Sequence, residues 1–92
     1  MVTETDAARR RKLRFRAWHR GTKEMDLIMG TFADRHVADM NEAELAIFET
    51  LIDVPDRELF AWISGSEPIP AEHRSDLLDR LCQVRLSTED YS

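Results

Sequence analysis

His19-Arg20-Gly21-Thr22-Lys23-Glu24-Met25-Asp26 lies where a strongly basic segment gives way to an acidic one. Gly21 permits backbone angles closed to residues with a side chain, so a sharp corner is expected there. Arg20 beside it carries a planar guanidinium with five donors. If a helix opens at Gly21 or Thr22, Glu24 and Asp26 fall in its first turns, where the helix dipole favours negative charge. The corner then separates two helices, and the rest of the chain can be read outward from it.

Upstream, a helix is expected from about Asp6, a plausible N-cap, to about Trp18. Its apolar residues Leu13, Phe15, Ala17 and Trp18 alternate with Arg14 and Arg16 and spread over an arc of roughly 200°, wider than a clean amphipathic stripe. Part of that surface is therefore covered by a partner or left exposed beside arginines. Downstream, Met25, Ile28, Met29, Phe32, His36 and Met40 recur at helical spacing, with Glu24, Asp34 and Asp39 turned away. Gly30 interrupts this stripe at a cost of about 1 kcal/mol relative to alanine, so a kink or break is expected there. His36, on the stripe, reads as a packed boundary histidine.

A third helix starts with Asn41 as cap, Glu44 reaching back to it, and Met40 against Leu45 as a hydrophobic staple. It buries Leu45, Phe48, Leu51 and Ile52 and stops at Val54, which Pro55 restricts. Asp56 is expected to cap a short fourth helix carrying Leu59, Phe60, Trp62 and Ile63, closed by Ser64-Gly65. A last helix is expected from near Pro70, burying Leu77, Leu78, Leu81 and Val84. Trp62 reads as core and Trp18 as interface. The expected architecture is all-α, a compact antiparallel five-helix bundle. It forms a single helical domain over 1–92, ordered over about 6–85, with flexible tails at 1–5 and 87–92.

At 42% hydrophobic and 34% charged residues, the chain is too apolar for a disordered tail and too charged for a membrane span. Residues 1–23 hold eight Lys/Arg against Glu4 and Asp6, or +6, while residues 24–92 hold five basic and sixteen acidic residues, or −11. That polarity suits nucleic acid, an anionic membrane, an acidic protein face, or a basic helix complementing its own body. Cys82 is the only cysteine, which leaves no internal disulfide or thiolate zinc cluster and suits a reducing compartment. His19, His36 and His73 share no metal-ligand spacing, and the three isolated glycines form no phosphate loop. No catalytic constellation is expected. The acidic residues near the N-terminus argue against an organelle presequence, so a bacterial, cytoplasmic protein is expected.

The run from Arg9 to Asp26 resembles the hallmark segment of the succinate dehydrogenase assembly factor 2 family, whose bacterial members are called SdhE. The resemblance rests on a basic first helix, then Arg20-Gly21-x-x-Glu24 with Asp26 close behind. It extends to Phe32, the Leu45–Leu51 stretch, and Pro55-Asp56 leading into Leu59-Phe60-x-Trp62, and so covers about residues 9–85. The resemblance implies a non-catalytic assembly factor. Such a factor binds the flavoprotein subunit of succinate dehydrogenase, and in some bacteria that of fumarate reductase, and promotes covalent attachment of FAD to it. The flavin belongs to the client, so no cofactor of the chain's own is implied. The motif maps partner binding onto Arg20, Gly21, Glu24 and Asp26, with Arg14, Trp18 and His19 as flanking contacts. Arg20→Ala and Gly21→Arg are expected to leave the fold intact and abolish flavinylation of the client. Stable membrane insertion is not expected, and the free protein is expected to be a monomer. Two other readings stand beside this one: an antitoxin-like regulator of a membrane-associated partner, and a small nucleic-acid-binding helical module.

Overall fold

The computed structural model describes residues 5–89, with side chains through residue 84. Five α-helices carry these residues: α1 (Asp6–Trp18), α2 (Lys23–His36), α3 (Glu42–Asp53), α4 (Asp56–Ser64) and α5 (Asp76–Glu89). Single 3-10 turns at Val37–Asp39 and Ala71–His73 follow α2 and precede α5. There is no strand among the described residues, and the protein is all-α. Residues 1–4 and 90–92, where part of the expected tails falls, lie outside the described residues. Residues 87–89, expected to be loose, continue α5.

Side-chain caps fix most of the helix starts. The Thr22 hydroxyl accepts from the Met25 amide at 3.3 Å and opens α2. Asn41 and Glu44 form the expected reciprocal box at the head of α3, at 2.9 and 3.1 Å. Three boundaries differ from the sequence reading. Thr5, not Asp6, caps α1 by accepting from the Ala8 amide at 3.1 Å. Asp6 instead pairs with Arg10 one turn on, at 2.7 Å, and this hydrogen bond holds its carboxyl below the ordinary range. Asp56 does not cap α4, because its carboxylate is directed to Arg20. Helix α5 begins at Asp76, where Ser75 accepts from the Leu78 amide at 3.1 Å; Pro70 introduces only the preceding 3-10 turn. Gly65 ends α4 at φ +82°, a left-handed position that favours glycine.

Helix α1 packs chiefly on α2, and α2 and α4 pack on α5. The core draws Leu13 and Ala17 from α1, Ile28, Met29 and Phe32 from α2, and Leu45, Phe48 and Leu51 from α3. Leu59, Trp62 and Ile63 of α4 and Leu77, Leu78, Leu81 and Val84 of α5 complete it. Trp62 is buried as expected and lies against the His73 ring, with centroids 4.9 Å apart.

Gly30 does not break α2, which runs continuously from Lys23 to His36. A Cβ at that position would fall inside the indole ring of Trp18, so the glycine is the seat that lets α1 approach α2 closely. The indole Nε1 then donates to Asp34 at 3.2 Å. Much of the positive charge of α1 is used inside the molecule. Arg9 reaches Glu42 at 2.6 Å and also Glu49 on α3, and Arg16 reaches Asp53 at 2.6 Å. Arg10 donates to the Val37 carbonyl as well as to Asp6.

Candidate functional site at the helix corner

The turn between α1 and α2 is held from within. Gly21 has φ +113°, open to glycine and strained for any residue with a side chain. The Asp26 carboxylate folds back from the first turns of α2 and accepts from the Arg20 amide at 2.6 Å and the Gly21 amide at 3.3 Å. This fastens the turn to the N-terminus of α2, where the dipole also favours the negative charge. Arg20 is directed inward, and only 8% of its side chain is exposed. Its Nε donates to Asp56 at 2.7 Å, one terminal nitrogen donates to the Val54 carbonyl at 2.7 Å, and the other to the Ile52 carbonyl. Both carbonyls belong to the C-terminal end of α3, where helical carbonyls lack intrahelical donors. The guanidinium thus locks the α1–α2 corner to the α3–α4 corner.

The residues expected to bind a partner take the following places in the fold. The Arg20 fork is directed to Asp56 and the end of α3 and away from solvent. Removing it would open the corner, so Arg20→Ala is not neutral for the fold. Asp26 likewise faces the chain's own backbone. Gly21 is exposed, glycine is favoured there by the backbone angle, and nothing in the chain lies within 4 Å of a Cβ placed on it.

What faces outward is the apolar and small-residue surface that this lock shapes. Trp18, His19, Gly21, Thr22, Lys23, Asp26 and Leu27 line a shallow cleft of about 560 Å³. Trp18 has one face on Gly30 and is half-buried, so it serves the helix packing and the cleft wall together. His19 is exposed and donates from Nδ1 to the Phe15 carbonyl at 2.6 Å, which leaves Nε2 unengaged by that bond. Its ring stacks on Phe15, with centroids 4.0 Å apart and planes 19° apart. Phe15 and His19 also line, with Arg16, Arg20 and Ile52, a smaller cleft of about 210 Å³ on the α3 side. Glu24 is exposed beside the corner. Arg14 is half-buried on α1 and is not among the residues lining the corner cleft.

The large exposed hydrophobics among the described residues are Phe15 and Leu27, and both stand here. The sequence reading passed over Leu27. Its signal was present, however, because it is apolar and falls off the buried stripe of Met25, Ile28, Met29 and Phe32. Among the described residues no cluster of His, Cys, Asp and Glu could hold a metal ion, and no helix is long and apolar enough to cross a membrane. The arrangement has the makings of a protein-binding corner: an apolar floor with polar edges, held in shape by part-buried hydrogen bonds.

A family model described as the flavinator of succinate dehydrogenase matches residues 11–85. The chain is 42% identical over 77 residues to a protein of Acetobacter pasteurianus named FAD assembly factor SdhE, covering 84% of this chain and 71% of that protein. It is 32% identical over 83 residues to a mitochondrial succinate dehydrogenase assembly factor 2 of Drosophila grimshawi, covering 88% of this chain and 56% of the relative. A Dictyostelium discoideum protein of the same name is 32% identical over 69 residues, which are 75% of this chain and 49% of the relative. The chain thus spans about half the length of these two mitochondrial relatives.

Proposed function

The chain belongs to the family of the flavinator of succinate dehydrogenase, and on that premise we propose that it is a non-catalytic assembly factor for a flavoprotein. It binds the flavoprotein subunit of succinate dehydrogenase through the α1–α2 corner and promotes covalent attachment of FAD to that subunit. The observation that carries the reading is the corner cleft, where an exposed Leu27 and the small Gly21–Thr22 turn are held rigid by Arg20 and Asp26. Such a surface is suited to pressing on a partner backbone. It brings no acid, base or nucleophile into a catalytic array.

The factor holds its client in a conformation in which the client's own chemistry attaches the flavin, and the flavin is the client's. We extend the reading to the fumarate reductase flavoprotein as a second client, to a monomeric working state and to a cytoplasmic site of action. The internal pairing of Arg9, Arg10 and Arg16 favours a protein partner over a nucleic acid, since those arginines already meet carboxylates of their own chain.

The test is to mix the full chain with the apo-flavoprotein subunit and FAD, denature, and score flavin fluorescence that remains with the polypeptide. A clear gain over the factor-free control is expected. Leu27→Glu, which places a good helix former at an exposed helical position, should abolish the gain without changing helical content. A client shown to be competent that gains nothing from the factor would overturn the reading.

A further inference from the structure

A second cleft adjoins the corner on its α4 side. Thr22, Glu24, Met25, Asp56, Arg57 and Phe60 enclose about 460 Å³ there. The buried Met25 and the half-buried Phe60 supply its apolar lining. Glu24 and Arg57 stand exposed on it with opposite charges. Among the described residues neither side chain makes a hydrogen bond or ion pair within the chain, with the other or elsewhere. Several charged neighbours, by contrast, are committed within the chain. Arg16, Arg20, Asp26, Asp53 and Asp56 are all engaged internally. Two unengaged opposite charges flanking an apolar lining form a pattern able to read both polarity and direction in a bound segment.

We propose that this cleft is a second contact area for the client, a proposal that rests on the flavoprotein-binding reading above. It takes an apolar side chain from a surface segment of the flavoprotein subunit, with a cationic group beside it meeting Glu24 and a carboxylate or carbonyl meeting Arg57. Two observations tie this cleft to the partner seated on the corner. Thr22 lines both this cleft and the corner cleft, so a partner seated on the corner is carried directly onto α4. Glu24 lines this cleft and not the corner cleft. A partner that engages the Glu24 carboxylate at this cleft meets α4 residues as well.

The test uses the full chain with the apo-flavoprotein subunit as probe. Arg57→Glu reverses the charge in the first turn of α4, where the dipole favours a carboxylate, so the helix itself is not weakened. It should weaken client binding by about tenfold or more with Tm unchanged. Glu58→Gln, at the neighbouring exposed position facing the Trp62–His73 cleft, should leave affinity unchanged. Phe60 replaced by p-benzoylphenylalanine should cross-link to the client on irradiation. If Leu27→Glu loses binding while Arg57→Glu retains it within about twofold, the α4 contact is refuted and the corner reading survives. A cross-link only to a second copy of the chain would refute the contact in the same way. If the unaltered chain fails to bind the client at all, both readings fall together.

Discussion

Arg20, singled out by the sequence as a partner-binding residue, has its side chain committed within the fold. A guanidinium beside a glycine at a charged corner suggests an outward clamp. Its side chain is instead almost wholly covered and divided between one carboxylate and two carbonyls 32 to 36 residues away. Breaking a buried pair leaves the other charge without compensation, which costs more than the pair contributes to stability. Arg20→Ala should therefore lower unfolding free energy by about 3 kcal/mol, measured by urea denaturation, and Arg20→Lys should recover little of it, because a point charge cannot serve three divergent acceptors. No local pattern could reveal this. The three acceptors lie at the end of α3 and the start of α4, and only the folded chain brings them to the corner.

At the scale of the elements, Trp18 and Gly30 form one packing unit across α1 and α2. Helix propensity alone makes Gly30→Ala favourable by about 1 kcal/mol. The indole seated on that glycine reverses the sign. Gly30→Ala should lower Tm in the native chain and raise it in a Trp18→Ala background, and a double-mutant cycle read by thermal denaturation measures the coupling. The sequence marked Gly30 as an interruption and Trp18 as an interface residue, yet gave no sign that the two belong together. Boundaries set by near neighbours were legible: the Asn41–Glu44 box and the Gly65 stop depend on residues within a turn of each other. Those at Asp56 and Asp76 were not. Asp56 answers a distant arginine, and Ser75 competes successfully with a proline that looked like a better start. The candidate site divided in the same way. Gly21, Trp18 and His19 do line the corner clefts, while Leu27 was hidden by its neighbours on the buried stripe.

Across the whole molecule, the contrast between a basic head and an acidic body is met in part by docking α1 against α3, where Arg9 and Arg16 pair with Glu42, Glu49 and Asp53. One titrating group at the α2–α5 boundary makes stability depend on pH. Burial first, and then Arg80 and Arg35, push the His36 imidazole below its usual 6.5, while Asp39 and Glu44 oppose them more weakly. The unfolded chain therefore takes up this proton more readily than the folded one, so stability is fully present above about pH 6.5 and falls as pH drops through the lowered folded value. The urea midpoint should decline between about pH 7.5 and 5.5, and His36→Gln should flatten that decline. Glu44, held low by the Asn41 amide and Arg80, contributes a separate loss that begins only below about 4.5 and should persist in the variant. The lock at the corner also bears on how genetic screens of this protein will read. Loss-of-function alleles at Arg20, Asp26 and Asp56 will cluster with those at surface positions and trace an apparent binding epitope. At those three positions the side chains are engaged within the chain itself. Complementation phenotype alone will confuse the hand with the wrist that holds it, and only a stability measurement on each allele will separate them.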